Sequence, residues 1–135
     1  MRMPVSPPVA LAVVFVGGGL GACGRYAVSR FMVTRYTGIF PLATALVNVT
    51  GSLLLGLILY VPALHRQDGL GLLAADTGLL GGYTTFSTAA LEAALLVRDA
   101  GRARAAVVWL GGTAVGLAAA ALGMEIGALL WPGSM

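Results

Sequence analysis

Residues 78–88 read GLLGGYTTFST and concentrate polar groups inside a long apolar segment. Four hydroxyl side chains occur within five residues, on Thr84, Thr85, Ser87 and Thr88. A hydroxyl donates a hydrogen bond to an anion, and the edge of an aromatic ring such as that of Phe86 carries partial positive charge. A single Ser or Thr in a membrane helix usually bonds to its own backbone. The four together predict an uncharged, donor-lined path that suits a small anion better than a cation.

The Gly81-Gly82 pair precedes these hydroxyls and predicts a break in a helix. Glycine weakens a helix, and carbonyl groups released inside a membrane find no water to bind. A neighbouring helix, or a cation held by backbone oxygens, then has to take those carbonyls. The alternative is that both glycines serve only close packing between helices.

A lone amide, Asn48, lies in the apolar run LVNVTGSLLLG, with Thr44 and Ser52 one turn away on either side. An amide is costly in lipid, so we expect Asn48 to face the protein interior, either as a bond between helices or as a further anion donor. Trp109 and Thr113 are also one turn apart, and either a packing role or a place on the path fits them.

The composition places all these residues in a membrane. Of 135 residues, 59% are hydrophobic and 10% are charged, and the mean hydropathy is +0.93. A soluble domain carries roughly 25% charged residues. The chain has eight arginines and no lysine, mostly between apolar runs, which indicates membrane topology rather than binding to nucleic acid.

Four spanning helices fit the apolar runs, because a bilayer core needs about 20 residues per helix. The predicted spans are residues 9–26, 39–61, 70–97 and 104–131. The connections between them are too short to fold alone, so we expect one all-α transmembrane domain over residues 1–135.

Glycines four residues apart predict faces on which helices approach closely in lipid. Such pairs are Gly17 with Gly21, Gly112 with Gly116, and Gly123 with Gly127. Four helices make a thin bundle, and an oligomer is therefore expected.

Three motifs carry a resemblance to a known family. They are GGLGACGRY at residues 18–26, LVNVTGSLLLG at residues 46–56, and GLLGGYTTFST at residues 78–88, followed by Glu92. With them the chain resembles the Fluc (CrcB) family of fluoride channels over all four spans. The third motif is the specific one, because short glycine patterns recur by chance.

The resemblance implies a fluoride-selective channel that lets the anion leave the cytoplasm passively and so lowers fluoride toxicity. It implies an antiparallel, dual-topology dimer in the cell membrane, with two pores along the subunit interface. It also implies a buried structural sodium ion held by the backbone carbonyls of Gly81 and Thr84. The implied fluoride path contains Asn48, Phe86, Ser87, Thr88, Trp109 and Thr113, with Arg25 and Glu92 as further candidates.

The chain departs from the family pattern at two positions. Ala89 stands where a second phenylalanine is usual, and Trp109 stands where tyrosine is usual. The indole of Trp109 still donates from its nitrogen, whereas Ala89 has no ring edge. Two acidic residues, Asp76 and Glu125, fall near span ends, and we expect them at the membrane interface.

Two other functions occur in four-helix membrane proteins of this size. A small four-helix multidrug or cation exporter uses a carboxylate inside its first span for proton exchange, and the first span here has none. A non-transporting membrane assembly subunit explains the glycines but not the hydroxyl run. An enzyme is not expected, because no pair of carboxylates converges and the only His and Cys, His65 and Cys23, occupy different environments.

The arginines favour one membrane orientation. The connections between spans one and two and between spans three and four hold Arg30, Arg35, Arg98, Arg102 and Arg104. The opposite side holds only Arg2 and Arg66. Because a dual-topology homodimer requires near balance, a heterodimer with an oppositely oriented paralogue is an alternative to the homodimer.

Overall fold

The computed structural model describes residues 6–38, 40–65 and 69–132, and every regular element in this part of the chain is helical. Helix α1 is Pro7–Val33, α2 is Leu42–Ile58, α4 is Phe86–Ala100 and α5 is Arg102–Leu130. Helix α3 covers residues 70–83 in three consecutive pieces, which are an α-helical Leu70–Leu73, a π-helical Ala74–Leu80 and an α-helical Gly81–Tyr83. A short 3₁₀ turn, Pro62–His65, follows α2.

Local sequence explains where several helices begin. Pro7 and Pro8 open α1, where their fixed φ suits the first turn and their missing N–H groups are not needed. Gly69 precedes α3 and Gly101 separates α4 from α5, with φ values of 68° and 88°. A residue with a side chain is strained at such angles, so glycine allows both sharp connections.

Among the described residues, two helices are long and apolar enough to cross a membrane, Pro7–Val33 and Arg102–Leu130. Helix α2 is apolar but shorter, with 17 residues. The third predicted span, residues 70–97, corresponds to α3 and α4 together. The structure thus has four helical runs at the four predicted positions, and the third run is broken.

The helices form two packed groups. Helix α1 runs parallel to α3, so that Gly17 lies against Gly78 and Gly21 lies against Leu79. Helix α2 runs parallel to α5 along the most extensive interface, where Gly56 lies against Ala120. Helix α4 packs on α5. The two halves of the broken span therefore belong to different groups.

Glycines create both close interfaces. A methyl group at Gly21 would overlap the Leu79 carbonyl oxygen, and one at Gly123 would overlap the Leu53 carbonyl oxygen. The predicted close faces at Gly17 with Gly21 and at Gly123 with Gly127 are confirmed. Gly112 has no atom within 4 Å of an added methyl group, so its predicted face is not used inside the described chain.

The break is not at Gly81-Gly82, so that prediction is wrong. Both glycines are helical, and the chain leaves helical geometry at Thr84 and Thr85. A methyl group at Gly82 would overlap the backbone of Gly18, which shows that this glycine allows α1 and α3 to approach. Close packing, the alternative reading of the pair, accounts for Gly82.

Little of the molecule is buried within the single chain. Val47 is the one large side chain that is fully enclosed among the described residues, whereas Phe15 and Phe86 are 83% and 75% exposed. A bundle this thin presents most of its apolar side chains outward, as expected for contact with lipid or a partner subunit.

We expect Gly21→Ala to destabilise the bundle by about 1–3 kcal/mol, because the methyl group overlaps the α3 backbone. Gly19→Ala in the same helix is the matched control, since no atom lies within 4 Å of its added methyl group. Thermal unfolding in detergent, followed by tryptophan fluorescence, compares the two. Equal unfolding midpoints would contradict the close α1–α3 contact.

Candidate functional site

The break is held by one amide side chain. Thr84 and Thr85 are extended, with φ and ψ of −76° and 160° and of −149° and 120°. The Thr85 N–H donates to Asn48 Oδ1 at 2.8 Å, and Asn48 Nδ2 donates to the Thr85 carbonyl at 2.8 Å. Asn48 thus satisfies both backbone groups of the residue at which helical bonding fails. We call this pair of bonds the amide clamp.

Two of the four hydroxyls also hold the break. Thr85 caps α4, because its Oγ1 accepts the Thr88 N–H at 3.2 Å and donates to Thr88 Oγ1 at 2.9 Å. Thr84 Oγ1 donates back to the Leu80 carbonyl at 2.9 Å. Ser87 is exposed, and its Oγ lies 3.4 Å from Thr85 Oγ1. The hydroxyl run is therefore partly structural.

The amide clamp releases a carbonyl. In a continuous helix the Thr85 N–H would bond the Gly81 carbonyl, but here Asn48 accepts it. The Thr84 carbonyl lies 3.5 Å from Arg25 Nη1, the outer limit of a hydrogen bond. Gly81 and Thr84 line one groove of about 340 Å³ with Asp76 and Asn48, and we call it the break groove.

Oxygen ligands dominate the break groove. Backbone carbonyls, hydroxyls and a carboxylate are the ligands that hard cations prefer, whereas zinc and copper favour nitrogen or sulfur. The described residues contain no group of three or more His, Cys, Asp or Glu side chains that could hold a metal ion. The donor set at Gly81 and Thr84 thus fits a hard cation bound through the backbone.

A second groove, of about 360 Å³, lies between α2, α4 and α5, and we call it the aromatic groove. The rings of Phe86 and Trp109 meet there edge to face, with centroids 6.2 Å apart and planes at 65°. Its polar lining residues are Thr44, Asn48, Ser52, Glu92 and Thr113. Ala89 lines the same groove as Phe86 and has no ring to add to it.

Hydrogen bonds restrict the polar groups of the aromatic groove. Thr44 Oγ1 donates to Glu92 Oε1 at 2.9 Å, and Glu92 Oε2 is buried without a partner among the described residues. Thr113 Oγ1 donates to the Trp109 carbonyl at 2.9 Å. Asn48 keeps one amide N–H beyond the clamp, because its Nδ2 carries two hydrogens. That N–H is the remaining donor of the clamp residue.

The predicted path residues do not all share one groove. Asn48, Phe86, Trp109 and Thr113 line the aromatic groove. Thr88 instead lies with Arg25, Tyr26 and Ser29 in a pocket of about 270 Å³ beside α1. Ser87 lines neither.

Three features of the site were missed by sequence reasoning. The partner of Asn48, the bond between Thr44 and Glu92, and the position of Asp76 in the break groove each depend on residues far apart in the chain. Asn48 carried a signal, because a lone amide in an apolar run needs a partner, but no local pattern identified Thr85 as that partner. Asp76 lines the break groove, which its position near a span end did not indicate.

Comparison with known proteins supports the resemblance. A family model described as "CrcB-like protein, Camphor Resistance (CrcB)" matches residues 12–124. This chain belongs to the CrcB family. The matched range includes Arg25, the amide clamp, the break and the Phe86 and Trp109 rings of the aromatic groove.

Curated relatives of this CrcB chain carry one function in their names. "Fluoride-specific ion channel FluC" of Methylobacterium sp. (strain 4-46) is 41% identical over 116 residues, which cover 84% of this chain and 92% of that protein. "Fluoride-specific ion channel FluC 1" of Leifsonia xyli subsp. xyli (strain CTCB07) is 38% identical, over 93% of this chain and 90% of the relative. "Fluoride-specific ion channel FluC 2" of Yersinia pseudotuberculosis serotype I (strain IP32953) is 42% identical, over 82% and 90%. With its long apolar helices, this CrcB chain is a membrane protein.

The amide clamp predicts that the Thr85 amide loses protection against hydrogen exchange in Asn48→Ala. Removing both bonds leaves the Thr85 backbone unsatisfied at a cost of about 1–3 kcal/mol, so the Thr85 amide should exchange about tenfold faster or more. Hydrogen exchange of the detergent-solubilised protein measures this. Ser52→Ala is the control, because Ser52 lines the same grooves without bonding to the break. Unchanged protection at Thr85 in Asn48→Ala would rule out the clamp.

Proposed function

We propose that this chain is a subunit of a fluoride-selective channel in the cell membrane, through which fluoride leaves the cytoplasm passively. The names of the relatives identify the anion as fluoride, and the aromatic groove is the site that we propose for it. Family membership argues against the alternatives of a small multidrug or cation exporter and a non-transporting assembly subunit. The protein is a channel and not an enzyme.

The observation that carries this proposal is the lining of the aromatic groove. A small anion that loses water needs hydrogen-bond donors and positive ring edges in exchange, without a fixed positive charge that would trap it. Asn48 offers its free N–H, and the exposed ring of Phe86 stands beside it. Trp109 adds an indole N–H and orients Phe86 by edge-to-face contact. Thr113 and Ser52 extend this lining along α5 and α2.

Thr88, Ser87 and Arg25 fit the approach to this groove. Arg25 and Thr88 share the pocket beside α1, and Ser87 is exposed as the second residue of α4. A guanidinium at the approach attracts anions without standing on the narrow path itself. Glu92 borders the groove, and Thr44 holds one of its carboxylate oxygens.

We propose further that a structural sodium ion binds the carbonyls of Gly81 and Thr84. The release of the Gly81 carbonyl by the amide clamp supports this assignment. A bound cation would satisfy backbone oxygens that have no water to turn to in hydrocarbon. Its contribution is structural, and the residues of this chain that would hold it do so through their backbone.

The channel is proposed to be an antiparallel dimer, formed either by two copies of this chain or with a paralogue of opposite orientation. The exposed rings of Phe15 and Phe86 support association, because the single chain leaves them uncovered. All five exposed arginines of the described residues lie at the end where α1 and α4 finish and α2 and α5 start, and they are Arg30, Arg35, Arg98, Arg102 and Arg104. Arg2 and Arg66 lie outside the described residues.

Two observations support a paralogue as the partner, namely Ala89 and the position of the exposed arginines at one end of the bundle. A partner that carries an aromatic residue at the position of Ala89 would add a ring edge that this chain lacks. Numbered names among the relatives, such as FluC 1 and FluC 2, show that some species hold more than one such protein.

Fluoride efflux from liposomes, followed with a fluoride electrode, tests the function. Asn48→Asp should abolish efflux, because a fixed negative charge repels the anion and the clamp loses its donor. Phe86→Ile keeps apolar bulk without a ring edge and should lower efflux about three- to tenfold. Phe31→Ile, on a half-exposed ring near the end of α1 that lines neither groove, should conduct normally. Full efflux through Asn48→Asp would remove the aromatic groove from the path.

Orientation labelling distinguishes the two dimers. In a Cys23→Ser background, Ala103→Cys places one thiol at the exposed start of α5. If the partner is a paralogue, a membrane-impermeant thiol reagent should reach this thiol from one side only. Efflux by the chain alone should then be small and should rise on co-expression of the paralogue. Labelling from both sides with full efflux would establish the homodimer instead.

A further inference from the structure

Asp76 is a carboxylate within the third helical run, and no arginine pairs with it among the described residues. It is the seventh residue of α3, which places it about 9 Å from the start of that helix. The ion pair found among the described residues is between Arg98 and Asp99, both at the surface. Asp76 Oδ1 accepts the Thr77 N–H and the Thr77 hydroxyl, and these neutral donors do not balance its charge. A carboxylate in a membrane-spanning segment calls for a charged partner.

The π-helical piece of α3 aligns Asp76 with the break. The Gly81 N–H donates to the Asp76 carbonyl, five residues back in the chain. Residues five apart therefore stack along one side, whereas in an α-helix they would be turned about 140° from each other. As a result Asp76 lines the break groove together with Gly81 and Thr84.

One positive charge near the break groove opposes a cation in it, and one negative charge lines it. Arg25 reaches the Thr84 carbonyl from the α1 side, and its positive charge opposes a cation at the same oxygen. Neutral carbonyls alone do not offset that repulsion. Asp76 is the one acidic residue that lines the groove, and no basic residue lines it among those the structure describes.

We propose that Asp76 supplies the negative charge that holds a hard cation in the break groove beside the Gly81 and Thr84 carbonyls. This inference rests on the cation of the proposed function and adds a charged side chain to a site otherwise made of backbone oxygens. Asp76 acts as a ligand or as a close counter-charge, and the π-helical turn is what brings it there. Because a carboxylate is an oxygen ligand that calcium also accepts, the groove binds calcium in competition with sodium.

The test is cation-dependent thermal stability of the purified full chain in detergent. Unfolding midpoints are measured against NaCl, with N-methyl-D-glucamine chloride holding the ionic strength constant, and then against CaCl₂. We expect sodium to raise the wild-type midpoint, and Asp76→Asn to require at least about tenfold more sodium for the same rise. Calcium should stabilise the wild type and have little effect on Asp76→Asn.

Glu125→Gln is the matched control, because Glu125 is an exposed carboxylate of α5 that does not line the break groove. It should keep the wild-type response to sodium. Asp76→Glu retains the charge and should retain a sodium response, which provides a second variant if Asp76→Asn does not fold. An Asp76→Asn protein with the wild-type sodium dependence, or a wild type indifferent to sodium and calcium, would overturn the proposal.

Fluoride efflux by the wild type is measured in parallel and separates this inference from the proposed function. Efflux together with an unaltered sodium response in Asp76→Asn would overturn the role of Asp76 and leave the channel intact. An Asp76-dependent cation response without fluoride efflux would support the cation site and remove the channel function.

Discussion

The two hydrogen bonds between Asn48 and the Thr85 backbone are the constraint on which the site depends. A chain that leaves helical geometry in hydrocarbon exposes an N–H and a carbonyl that water cannot reach, and one primary amide satisfies both. Three consequences follow from this single pairing. The Gly81 carbonyl loses its helical donor, α4 starts afresh with Thr85 as its cap, and Asn48 keeps one N–H while lining the aromatic groove.

The same pairing joins the two halves of the bundle. Helix α3 packs on α1 through glycines, whereas α4 and α2 pack on α5, and direct contact between α1 and α2 is limited. Because Asn48 belongs to α2 and Thr85 connects α3 to α4, the clamp is a polar link where apolar contact is sparse. Hydrogen bonds supply orientation that apolar packing in lipid does not, since lipid tails solvate apolar surfaces equally well. The relative position of the two groups thus depends on a few polar and glycine contacts.

Sequence reasoning predicted the elements better than their junctions. The four helical runs, the interior position of Asn48 and the glycine faces at Gly21 and Gly123 follow from periodicity and from the cost of polar groups in lipid. The break was predicted too early in the chain, because Gly82 is a glycine for its close contact with Gly18 on another helix and not for a break. The sequence likewise carries no sign of the π-helical turn that brings Asp76 into the break groove. Both features depend on contacts between residues that are not neighbours in the chain.

Asn48 lines both grooves. One neutral side chain thus stands between a groove proposed for a cation and a groove proposed for an anion. A cation in the break groove would strengthen anion binding in the aromatic groove, and strong binding slows release from a channel. A carboxylate beside that cation reduces its field at a distance while leaving its short-range bonds to carbonyls intact. On this argument the charge of Asp76 would confine the effect of the proposed cation to the break groove. The proposed anion path would then depend on neutral donors and ring edges, which bind an anion weakly enough to let it leave.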